Sequence, residues 1–114
     1  MAAQALLDYE SLTDLELAGY FAAKDVRAVR LVTARNNQRL FRTAWSILKN
    51  RSEAEDVVQE TYLRALGAIG RFEGRSSLST WLTRIAINEA LTRKRAQQRR
   101  ANAFNEKSVL VMEE

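Results

Sequence analysis

The chain contains no cysteine, no histidine and no proline, and only four glycines among 114 residues. Without cysteine there is no disulfide framework, no thiolate zinc site and no thiol nucleophile, a composition that suits a reducing compartment. Without histidine the chain lacks both the commonest general base and the commonest metal ligand. Phosphate-cradling glycine loops are missing as well. Glu55, Asp56, Glu60 and Glu89 remain as acid–base candidates, but each fits a helix start or a surface better. A non-catalytic protein without metal or cofactor is therefore expected. Long hydrophobic runs are also absent, and the opening MAAQALLDYE lacks the charged-then-apolar order of a signal peptide. The expected setting is the cytoplasm, away from membranes.

What is present favours helices. Hydrophobic residues make up 46% of the chain, and many of its residues are strong helix formers: Ala, Leu, Arg, Glu and Gln. With no proline to interrupt them, the expected fold is all-α, a compact bundle of about four helices. Thr13-Asp14-Leu15-Glu16 reads as a capping box opening a first helix near 13–23. Asp25 caps a second, whose apolar positions from Val29 to Leu48 recur at spacings of three and four. Ser52-Glu53-Ala54-Glu55 reads as a second capping box, starting a third helix that Gly70 stops. Ser77 or Ser79 caps a fourth, from about Leu78 to Arg100, and the stretch from Ala101 to Glu114 shows weak pattern.

The charge lies in blocks. Residues 26–51 carry seven bases and no acid (Arg27, Arg30, Arg35, Arg39, Arg42, Lys49, Arg51). Residues 52–63 carry four acids and no base (Glu53, Glu55, Asp56, Glu60). Residues 75–100 carry seven bases against Glu89. Such separation points to different surfaces for different partners. The third helix places Asp56, Gln59, Glu60 and Leu63 on its exposed side, and Leu63 is a large apolar group in acidic surroundings. Between Arg71 and Arg100, Phe72 and Trp81 stand among bases, the combination that neutralises phosphates and stacks on unpaired bases. Trp81, Ile85, Asn88 and Thr92 fall close to one line of a helix. On pattern alone Asn88 is favoured as a buried, hydrogen-bonded core amide; the alternative is a reader of base edges.

RLFRTAWSILKN, SEAEDVVQETYLRAL and RFEGRSSLSTWLTRIAIN, in that order, resemble region 2 of the sigma-70 family, and most closely its extracytoplasmic-function (ECF) group. The resemblance spans roughly Leu12 to Arg100. It implies a bacterial transcription initiation factor domain. The helix bearing EDVVQE would dock on the β′ clamp helices of core RNA polymerase through Glu55, Asp56, Gln59, Glu60 and Leu63. The loop matching FEGRSS (Phe72, Gly74, Arg75, Ser76, Ser77) would hold a base flipped from the single-stranded non-template −10 element. Trp81 would sit at the melting edge, Arg84 beside it, and Asn88 would read sequence, which turns the balance on that residue toward function. Arg93, Lys94 and Arg95 would contact phosphates. An anti-sigma factor is a possible further partner. The resemblance implies that residues 1–100 form region 2 and that 101–114 form a tail or the start of a linker, since nothing after Arg100 resembles the −35-reading region 4. Two rivals remain: a helical interaction module mimicking a sigma surface, and a helix-turn-helix reader of duplex DNA with a short turn between its last two helices.

Overall fold

The computed structural model of the chain describes residues 7–113, with side chains up to Ser108. Residues 1–6, expected to be frayed, lie outside that range. Among the described residues a 3₁₀ turn at Tyr9–Ser11 precedes four α-helices: α1 (Asp14–Ala22), α2 (Val26–Leu48), α3 (Arg51–Ala68) and α4 (Leu78–Glu113). A second 3₁₀ turn, Ile69–Arg71, follows α3 directly.

Local chemistry explains the boundaries. Thr13 and Glu16 form the expected reciprocal cap: the Thr13 N–H donates to Glu16 Oε1 at 2.9 Å, and the Glu16 N–H donates to Thr13 Oγ1 at 3.1 Å. Asp25 caps α2 by accepting from the Ala28 N–H at 3.1 Å. Helix α3 begins earlier than its Ser52 box predicted. Lys49 adopts the left-handed conformation (φ 54°) and ends α2, which leaves Asn50 alone between the helices; its side chain accepts from the Glu53 N–H at 2.9 Å. Asn is among the best N-caps, so it displaces Ser52 into the first turn. Gly70 is not the stop of α3 either; it lies inside the 3₁₀ turn. Ser77 is the cap of α4, accepting from the Thr80 N–H at 3.0 Å. That helix does not end near Arg100 but runs 36 residues, about 54 Å. No glycine or proline interrupts 101–113, so no residue in that stretch breaks the helix.

Helices α2, α3 and α4 pack mutually, with α1 and the 3₁₀ turns closing one end. Large core side chains are Leu17, Phe21, Val32, Leu40, Val57 and Leu82. Between them Ala28, Ala44, Ala54, Ala65, Ala86 and Ala90 are wholly buried, small enough to let the helices approach closely. Asn36 is buried in the same core; its Nδ2 donates to the Val32 carbonyl at 2.8 Å, while its Oδ1 has no partner.

Candidate nucleic-acid and docking surfaces

Two chain segments far apart in sequence build the first surface. The Leu78 N–H donates to Asp14 Oδ2 at 2.8 Å, tying the start of α4 to the start of α1. This contact fixes the intervening loop against α1 and encloses a depression of about 640 Å³. Thr13, Asp14 and Leu15 form one wall; Glu73, Gly74, Arg75, Ser76 and Ser77 form the other. Gly74 has φ +77°, a conformation L side chains rarely adopt, with Leu15 Cβ 3.8 Å from where its own Cβ would stand. Arg75 and Glu73 pair at 3.1 Å on the rim, both exposed. Ser77 is held by its cap bond and by Thr80 Oγ1 at 2.9 Å, and Ser76 Oγ donates to the Ser77 carbonyl at 3.3 Å. Asp14 and Leu15 were not among the expected site residues. The capping box located them at a helix start, but no local signal says which loop that start will face.

Phe72 departs from its expected place. Its side chain is 7% exposed and belongs to the core, with its ring tilted against Trp81 at a centroid distance of 5.6 Å. Phe72 therefore supports Trp81 from beneath; Trp81 is the partly exposed ring of the pair. Leu82, its neighbour, is fully buried. Arg84 is exposed further along α4. Asn88 is exposed as well, which removes the core reading favoured on pattern alone. It lines a second depression, about 350 Å³, with Ile85, Thr92, Arg64, Ala68 and Glu89. Its backbone carbonyl accepts from Thr92 Oγ1 at 2.8 Å, and among the described residues its side-chain amide has no protein partner.

The three bases expected to act together at 93–95 diverge. Arg93 turns toward α3 and is 28% exposed; it meets Glu89 at 3.1 Å, Glu53 at 3.3 Å and Asp56 at 3.8 Å. Partial burial works against its charge, but hydrogen bonds to Glu89 and Glu53 outweigh this and raise its pKa above the ordinary value. Arg93 is thus a strut between α3 and α4 rather than a free phosphate ligand. Glu89, only 10% exposed, also takes Arg64 at 3.1 Å. Lys94 points the other way, donating to the Ile47 carbonyl at 3.2 Å, and Arg95 is exposed.

The second surface is the outer face of α3. Glu55, Asp56, Gln59 and Leu63 are exposed on it, and Glu60 partly so. Arg51 pairs with Glu55 at 3.1 Å and Arg64 with Glu60 at 3.3 Å, each one turn away. Leu63 is 65% exposed at the C-terminal end of this cluster, beside Arg64. Beside this face a groove of about 570 Å³ runs between α2 and α3, floored by Phe41, Val58 and Tyr62. Tyr62 Oη donates to Asn37 Oδ1 at 2.7 Å, and burial pushes the phenol pKa up to about 12.

With this geometry in place, the relatives are informative. The Sigma-70 region 2 profile matches residues 32–100, from α2 through the part of α4 that packs on the bundle. The chain belongs to the sigma-70 region 2 family. Its relatives are of the ECF group among others. The ECF RNA polymerase sigma-E factor of Haemophilus influenzae is 35% identical over 91 residues, which cover 80% of this chain and 48% of that protein. The RNA polymerase sigma-H factor of Pseudomonas aeruginosa is 34% identical over 87 residues, covering 76% and 45%. The chain spans less than half the length of these curated relatives. Among solved structures, an engineered region 2 of sigmaE in complex with GTAAAA aligns with a TM-score of 0.67 and 33% identity, covering 80% of this chain and 95% of that one. The region 2 fold is all-α in both. The connection between α3 and α4, residues 69–77, is longer than the short turn of the helix-turn-helix rival. Among the described residues no helix is long and apolar enough to cross a membrane.

Proposed function

We propose that this region 2 is a non-catalytic initiation module that docks on core RNA polymerase through α3 and holds the non-template strand of the −10 element through the 72–77 loop and α4. The observation that carries the reading is the separation of two surfaces on one rigid bundle. An acidic face with an exposed leucine lies on α3, and a polar depression with a free amide beyond it lies along the loop and α4. The β′ clamp helices are the proposed seat for Glu55, Asp56, Gln59, Glu60 and Leu63. The depression walled by Asp14, Leu15 and residues 73–77 receives a flipped base, with Trp81 at the edge of the opened duplex and Asn88 reading further along. The likeness to a region 2 in complex with GTAAAA supports this assignment. Capturing an unstacked base offsets an opening cost of a few kcal/mol. Arg84, Lys94 and Arg95 set register through phosphates, work that carries no sequence information. The cytoplasm is the compartment this role requires, and an anti-sigma factor covering either surface would silence it.

Competition binding to core polymerase tests the docking half. Asp56→Arg reverses a charge but also disturbs Arg93, so Leu63→Ala, whose side chain is exposed, is the cleaner variant. Each is expected to weaken binding about tenfold, roughly 1.4 kcal/mol. Binding indifferent to both changes would remove α3 as the docking face.

A further inference from the structure

The basic block on α2 has no part in the function proposed above. Arg35, Arg39 and Arg42 recur at intervals of four and three, which places them along one side of the helix, and Lys49 follows at its C-terminal cap. All four are exposed, on the side away from buried Val32, Asn36, Leu40 and Ala44. Trp45, 45% exposed, lies in the same stripe, and Lys49 Nζ stands 4.6 Å from its ring centroid.

Four arginines of the other elements are paired at close range: Arg51 with Glu55, Arg64 with Glu60 and Glu89, Arg75 with Glu73, and Arg93 with three carboxylates. On the stripe, no described residue pairs ionically with Arg35, Arg39, Arg42 or Lys49, and α2 itself carries no acid. Like charges three and four residues apart destabilise a helix. A run of like charge with no acid on its own helix is one that a polyanion neutralises best.

We propose that this side of α2 is a second nucleic-acid surface, which binds the phosphodiester backbone of duplex DNA. The four cations extend over roughly 21 Å of helix, about six base-pair steps of duplex. Duplex fits better than single strand because the stripe carries four cations and a single aromatic ring, one face of which Lys49 stands over, whereas single-strand grooves use successive aromatic platforms. The Lys94 bond to the Ile47 carbonyl brings one further cation of α4 to the C-terminal end of α2. The surface is separate from the 72–77 loop, so its failure and that of −10 binding are measured independently.

The test is anisotropy titration of a labelled duplex of arbitrary sequence across salt concentrations, using the full chain. Arg39→Gln with Arg42→Gln removes two stripe cations; Arg27→Gln with Arg30→Gln removes the same charge from elsewhere on α2. The stripe variant is expected to lower the slope of log affinity against log salt by about 1.8, roughly 0.9 for each lost phosphate contact. The control is expected to leave the slope unchanged, and binding of a single-stranded −10 oligonucleotide should stay within about twofold of the parent. An equal loss in both variants would reduce the effect to net charge and overturn the proposal. A loss confined to the single strand, or an unchanged duplex slope as an acidic protein partner would give, would also overturn it.

Discussion

Two asparagines show how a residue's meaning depends on what surrounds it. Asn88 sits in an apolar run and reads as a core amide by pattern, yet it is exposed with its amide free. Asn36 sits in a polar run, RNNQR, and is the asparagine buried in the bundle, with Oδ1 unsatisfied. The difference is the helix face, which pattern near a charge-rich segment assigns poorly. An exposed amide with both donor and acceptor free can match a base edge, whereas a phosphate contact cannot distinguish bases. Asn88→Ala is therefore expected to reduce discrimination among altered −10 oligonucleotides by about 1–3 kcal/mol at one base position. Affinity for mismatched strands should change little. Titrations with matched and altered single strands decide this, and a uniform loss across sequences would end the readout role.

Helix ends account for most of what could and could not be read at the level of elements. The Thr13 box and the Asp25 cap were legible because each is a contiguous signal satisfied within one turn. The start of α3 was misplaced because Asn50 and Ser52 both qualify as caps, and only the left-handed Lys49 decides between them. The extent of α4 was missed because an unpacked helix has no periodicity to display. The Arg93 strut and the Asp14–Leu78 bond were invisible for another reason: they join residues 40 and 64 positions apart. The exposed acidic side of α3, by contrast, followed from spacing within one helix. The same boundaries give a prediction. Lys24 and Lys49 both hold positive φ at helix ends, where glycine is unstrained. Lys24→Gly is expected to stabilise the fold by about 1 kcal/mol in chemical denaturation. Lys49→Gly should gain less, since it also removes the cation over Trp45. A loss of stability on Lys24→Gly would mean that its side chain makes a contact worth more than the backbone strain.

The molecule as a whole is a rigid bundle with one projecting arm. Its radius of gyration is 19.2 Å and its longest extent 77 Å, whereas a compact domain of this length has a radius of roughly 13 Å. The excess comes from α4 beyond Arg100, where Phe104 is 70% exposed and residues 101–107 are exposed throughout. Bundle stability should therefore reside in α4 up to about Arg93, where Leu82, Ala86 and Ala90 are buried and the carboxylates of α3 clamp the helix. A helical arm with no tertiary partner is marginal by itself, because helix length alone supplies little stability in water. Ending the chain at Arg100 is expected to shift the thermal midpoint by no more than about 2 °C, well under the 4–8 °C that 1 kcal/mol produces in a small domain. Small-angle scattering of the shortened chain should give a radius close to the compact value. Arg93→Met, in contrast, leaves Glu89 and Glu53 without their shared cation and should cost about 1–3 kcal/mol. If shortening lowers the midpoint as much as Arg93→Met does, the arm contributes to the bundle, and the division between a packed and an unpacked half of α4 is wrong.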